Sequence, residues 1–203
     1  MAEYTAIEDV GETLVALLRD RMGDLISRDR EIALVSPGDI GAGDDVRLSL
    51  YLYQITENSH LKNTERQVID PETEQERPLE LELYYLVTAH PSQGGNDPTA
   101  RTKEQHSVLG RAMQVFHDNP VVDGSQLAGG LAGGGELRLT QSATSADEIL
   151  NLWNTFQETP YQPSVSYLVT PVSIDSLRER STERVRERTL EEYTILSREG
   201  DNE

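Results

Sequence analysis

Apolar residues recur along this chain with two periods, and the switches between them lay out its elements. Ile7, Val10, Leu14, Leu17, Leu18 and Leu25 fall at helical spacing, and Thr5 with Glu8 has the form of a capping box, which predicts a helix over residues 6–26. Residues 31–35 read as a short strand stopped by Pro37 and Gly38. The period then becomes two. Val46, Leu48, Leu50 and Leu52 share one face of a strand over 46–56, and Arg47, Ser49, Tyr51, Tyr53 and Ile55 share the other. Tyrosines on the second face imply that it too is covered, by a neighbouring element or by another subunit.

Residues 63–78 are too polar for more than a loop or hairpin excursion, and alternation returns over 79–88. A helix is predicted over 102–117, with Val108, Leu109, Ala112, Met113 and Phe116 as its stripe and Asn119 and Pro120 as its stop. A glycine-rich connector at 123–135 follows, its Gly129 to Gly135 stretch read as a flexible loop, and then a short strand at 136–140. Ser145 with Glu148 forms a second capping box, opening a helix through Ile149, Trp153 and Phe156, and a last strand spans 164–174. The predicted class is α+β, a mixed, mostly antiparallel sheet packed against helices. Residues 1–175 read as one domain.

From Ser176 the chain carries charges of both signs and only isolated apolar residues. Residues 176–203 read as a charged C-terminal extension, either a solvated helix or, the preferred reading, an arm in which Val185, Thr189, Tyr193 and Ile195 alternate with charges and add a strand to a partner sheet.

Composition narrows the function. The 18 basic against 36 acidic residues give a formal charge of −18, and Lys62 and Lys103 are the only lysines. Such a surface repels nucleic acid and anionic membranes, because phosphate binding needs clustered cations. Acidity with so little lysine also fits a halophilic cytoplasm, where hydrated carboxylates are screened over about 3 Å at molar salt. With no cysteine, disulfides and thiolate metal sites are excluded. The first residues have neither a basic nor an apolar signal region, and no apolar run reaches a membrane span, so assembly in the cytoplasm is expected.

Candidate chemistry is thin. His106 and His117 share a helical face with Asp118 nearby, but no third ligand follows at a convincing spacing, so they read as surface histidines. The glycines at 129–135 lack the Lys-Ser or Lys-Thr of a phosphate loop, and no Gly-x-Ser-x-Gly elbow occurs. No catalytic, metal or cofactor-binding residue is assigned, and no cofactor is expected.

Four runs appear in order over residues 5–175: LYLYQITENSHLKN, LELYYLVTAHP, EQHSVLGRAMQVFHDNPVV and TPYQPSVSYLVTPVSID. Together they resemble the cap, or tail-terminator, family of contractile injection systems. The most telling pieces are the strand ending in Asn58 and Asn63, and the helix in which Glu104, Leu109, Gly110, Arg111 and Ala112 precede Asn119 and Pro120. The resemblance implies a non-enzymatic ring protein that stops growth of an inner tube and caps the outer sheath of a phage-tail-like particle, which can be released outside the cell. Its partners would be tube and sheath proteins and copies of itself, as a hexamer. A related tail-completion or head–tail connector protein of a phage is the alternative.

A terminator needs heterologous contacts that close into a ring, and sheet edges and arms supply them without a deep pocket. The expected interface residues are Tyr51, Tyr53, Asn58, Asn63, Tyr84, Arg111, Val185 and Tyr193. Arg111 would act through an ion pair between subunits.

Overall fold

The computed structural model describes residues 4–41, 43–59, 67–70, 73–94, 97–132, 135–157 and 159–181. Helix α1 (Ala6–Arg21) precedes strands β1 (Ile32–Leu34) and β2 (Leu48–Glu57), and strands β3 (Gln67–Asp70), β4 (Thr73–Gln75) and β5 (Leu79–Ala89) follow. Then come α2 (Pro98–Asp118), β6 (Val121–Asp123), β7 (Glu136–Gln141), α3 (Ala146–Trp153), β8 (Ser164–Ile174) and β9 (Glu179–Ser181). Six strands form the main sheet in the order β1-β2-β5-β8-β7-β6, antiparallel except for the parallel β1–β2 pair. The expected α+β architecture is therefore present.

One face of this sheet packs on α1 and α2. Val10, Leu14 and Leu18 of α1 and Val108, Ala112 and Phe116 of α2 meet Leu48, Leu50, Leu83, Tyr85, Val87 and Val169, all fully or nearly fully buried. Regular apolar periods on both partners produce this core, so it follows directly from the pattern.

Element ends differ from expectation in instructive ways. Thr5 does not cap α1: its own backbone is helical (φ −76°, ψ −8°), so its hydroxyl donates to Asp9 Oδ2 at 3.1 Å instead. The helix stops at Arg21, and a turn through Gly23 carries Ile26 back into the core. Helix α2 begins one turn earlier than expected, because Asp97 accepts from the Thr99 N–H at 2.9 Å and Pro98 fits the first helical position. The capping box of Ser145 and Glu148 is formed, and those hydrogen bonds, first the Ser145 backbone N–H, hold the Glu148 carboxyl below its usual range.

The loop at 124–132 is pinned rather than free. Gly130 N–H donates to Asp9 Oδ2 at 3.0 Å and Ala128 N–H to Thr13 Oγ1 at 2.9 Å, both on α1. Gly129 has φ +53°, and a Cβ there would lie 2.0 Å from Asp9 Oδ1. Only glycine fits.

The polar stretch after β2 makes the β3–β4 hairpin, and β9 joins it as the third strand of a small second sheet. Glu76 N–H donates to the Arg178 carbonyl at 2.8 Å, and the Gln75 amide bonds the Ser176 carbonyl. The first residues after Ser176 thus add a strand to the chain's own sheet. Residues 182–203, with the expected Val185 and Tyr193 contacts, lie outside the described residues, as does Asn63.

Candidate assembly surface

Opposite α1 and α2, the second face of the main sheet is built from hydroxyls and aromatic rings. The ladders set Ser49, Thr88 and Ser164 in one row across β2, β5 and β8, and Tyr51, Leu86 and Ser166 in the next. Directly opposed residues share a face, so each row is a set of neighbours. Thr88 Oγ1 lies 2.9 Å from Ser164 Oγ, and Tyr53 Oη lies 2.8 Å from Ser166 Oγ. Ser49 Oγ meets His90 Nε2 at 2.8 Å. Burial lowers the His90 pKa to about 4, so its ring is neutral at ordinary pH.

At Tyr53 the register slips. Leu52 pairs with Tyr85 and Gln54 with Tyr84, a bulge that leaves Tyr53 as the extra residue. Beyond it Ile55 stands opposite Leu83, so Ile55 crosses to the α1/α2 side, contrary to the simple alternation. Strand β8 is irregular on the adjoining rung, where Leu81 pairs with Val172 and Leu83 with Val169, next to the cis Thr170–Pro171 bond. Asn58 follows at the strand end. It is buried, its N–H donates to the Glu80 carbonyl at 2.8 Å, and its side-chain amide lies 3.4 Å from Thr170 Oγ1.

Helix α3 is only 8 residues long and covers part of this face. From it runs a chain of edge-on rings: Tyr161 to Trp153 at 5.3 Å, Trp153 to Phe156 at 5.3 Å, and Phe156 to Tyr51 at 5.6 Å. Beside this cluster remains an open groove of about 450 Å³, floored by Tyr53, Tyr84, Leu86 and Ser166 and walled by Glu148 and Leu152. Tyr84 donates to Glu82 Oε2 at 3.2 Å, and burial together with that carboxylate raises its phenol pKa.

The structure therefore brings Tyr51, Tyr53 and Tyr84 together on one face, covered in part by the chain's own α3. Asn58 sits inside the fold. Arg111 is bound within the chain: Nη2 donates to the Arg21 carbonyl at 3.1 Å, Nη1 to Gln114 Oε1 at 2.8 Å, and Nε lies 3.7 Å from Asp24. It ties α2 to the end of α1. Glu104 pairs with Arg47 at 3.0 Å, across a separation of 57 positions that no helical spacing announces. His106 and His117 are exposed on α2. Sequence reasoning missed the His90–Ser49 bond and the Arg47–Glu104 pair, both joining residues far apart in the chain. Among the described residues no group of three or more His, Asp or Glu could hold a metal, and no helix is long and apolar enough to cross a membrane.

Two solved structures share the fold. The sheath/tube terminator of the extracellular contractile injection system PVC, in its extended state, superposes with a TM-score of 0.63 at 20% identity, over 97% of this chain and 67% of that one. The tube-terminating cap of the anti-feeding prophage AFP gives 0.54 at 16% identity, over 86% of this chain and 60% of that one. A search of curated proteins gave no match. The model of the Pvc16 N-terminal domain matches residues 9–188, which take in the main sheet, α1 from its fourth residue onward, α2, α3 and β9. Spanning nearly the whole described fold, that match places the chain in the Pvc16 N-terminal domain family.

Proposed function

We propose that this chain is the structural cap, or tail terminator, of a contractile injection system: a ring seated on the last tube and sheath layers that ends their elongation. The observation that carries the reading is the family match over residues 9–188, joined to a fold shared over 97% of the chain with a sheath/tube terminator. The work is binding, not bond-making chemistry. The two solved structures described above are a terminator and a cap, which favours this reading over a phage head–tail connector.

In this reading six copies close a ring by heterologous contacts, and the far surface does not repeat the surface that meets the polymer, so stacking ends there. The partly covered tyrosine face and the residues beyond Ser181 are the surfaces offered to neighbours, tube or sheath. Assembly takes place in the cytoplasm before release of the particle, and the −18 charge suits a medium of high salt. Electron microscopy of a deletion strain tests the function. Tubes and sheaths of uncontrolled length are expected. Particles of normal length would overturn the reading.

A further inference from the structure

The two edges of the main sheet have the same polarity. β1 runs parallel to β2, and the four steps from β2 through β5, β8 and β7 to β6 each reverse direction. Four reversals cancel, so β1 and β6 have the same polarity in the ladder. Rotation about an axis along the strands preserves strand direction. In such a ring, β6 of one copy can meet β1 of the next only as a parallel pair.

The free hydrogen-bonding groups then select one register. On β1 the Glu31 carbonyl accepts from Arg47 N–H and Val35 N–H donates to the Leu50 carbonyl, so residues 31, 33 and 35 face β2 and residues 32 and 34 face outward. Ile32 is already engaged: its N–H by the Asp29 carbonyl, its carbonyl by Arg19 Nη2 at 2.8 Å. Leu34 has no such partner among the described residues. On β6 the Pro120 carbonyl accepts from Leu139 N–H, so Val121 and Asp123 direct their backbone groups outward. In a parallel ladder a residue bonds the two neighbours of its opposite number. Leu34 opposite Val122 would donate to the Val121 carbonyl and accept from the Asp123 N–H.

Side-chain faces agree with that register independently. Val122 pairs with Leu137 in the core beneath α1 and α2, and Leu34 pairs with Leu50 on the same side. On the α3 side Val121 would lie against Ala33. Leu34 and Val121 are 48% and 40% exposed in the single chain, and the pairing covers both. We propose that neighbouring copies join by parallel strand addition, Leu34 of one opposite Val122 of the next, so that the main sheets run on from copy to copy around the ring. The partner is a second copy of this chain, and the proposal rests on the ring reading above.

The test exploits a chain without cysteine. Full-length Ala33→Cys/Val121→Cys, oxidised in its assembled state, should give a ladder of reductant-sensitive oligomers up to the closed ring. Each single variant should give none, and an equal mixture of the two should give dimers. Cross-linking of a single variant with itself would mean an isologous contact and overturn the proposal. A ring mass by light scattering without a ladder would overturn the edge pairing and leave the ring reading standing, whereas a monomer at every salt concentration would overturn both. Val121→Lys, at an exposed position, should keep the melting temperature of the monomer while weakening assembly about tenfold or more. Unchanged assembly would count against the edge.

Discussion

On the side of the main sheet that faces α1 and α2, the rows across β2, β5 and β8 read Leu50, Val87, Val165 and Leu52, Tyr85, Tyr167; on the side that faces α3 they read Ser49, Thr88, Ser164 and Tyr51, Leu86, Ser166. Both faces are buried along much of their length, but by different means. The first is sealed by long helices and gains from apolar area removed from water. The second holds fully buried hydroxyls, Ser49 and Thr88, that are tolerable only because each has a partner within 2.9 Å. Apolar burial thus supplies most of the stability, while the polar rows fix which strand residues must oppose one another. The polar face is also the one left partly open.

The sharpest way to break this comparison is to cut into the apolar side. Leu83 is fully buried beneath the helices, and Leu83→Ala should cost about 2–5 kcal/mol through lost contacts and the cavity left behind. Denaturant unfolding at fixed salt measures it. A loss below about 1 kcal/mol would mean that the helical side is loosely packed.

Next in size is a pH effect confined to the polar side. The His90 pKa falls from 6.5 to about 4 in the folded chain, so both states are neutral above pH 6.5. Between 6.5 and about 4 the unfolded chain takes up a proton that the folded chain refuses, and stability falls as pH falls. The full loss, complete only below pH 4, is on the order of 3 kcal/mol. His90→Gln should remove this component, so the gap between variant and wild type should narrow as pH drops from 7 to 5. A gap that stays constant with pH would show that His90 does not resist protonation. Because the many carboxylates titrate in both proteins, the difference between them is the quantity to read.

The polar side was also the harder one to read in advance. Leu48, Leu50 and Leu81 alternate with polar or tyrosine neighbours, so their strands and their burial follow from residue type alone. The Tyr53 bulge depends on how β2 and β5 slide past each other, which no pattern within β2 records. Ser49 and His90 stand 41 positions apart, and Gly130 and Asp9 stand 121 apart. Such partnerships are created by the fold. Tyr51 and Tyr53 were legible as one face of β2 because period two places them there, but Tyr84 joins them only through the β2–β5 pairing, and their cover, Phe156 and α3, comes from a turn whose direction the sequence leaves open. The Arg111 guanidinium found partners inside the chain for the same reason: the end of α1 and the side of α2 meet only after folding.

A smaller effect should appear at the loop that seals the first face. At Gly129 an alanine would be strained twice, by the positive φ and by the Asp9 carboxylate in the space of its Cβ. Gly129→Ala should cost on the order of 1–3 kcal/mol, whereas Gly135→Ala, with nothing within 4 Å of its Cβ, should be near neutral. Equal melting temperatures for the two variants would mean that the loop is not held on α1.

The smallest expected change separates a folding role from an assembly role for the tyrosine face. Tyr53→Phe keeps the ring in the groove and removes one hydroxyl, leaving Ser166, only 2% exposed, without its 2.8 Å partner. An orphaned buried hydroxyl should cost about 1 kcal/mol, and adding Ser166→Ala should recover most of that, because the pair is then removed together. If the double variant regains stability and still forms rings, the Tyr53 hydroxyl serves the sheet. If it regains stability but fails to assemble, that hydroxyl also meets a neighbour, and the polar face is an assembly surface as well as a register device.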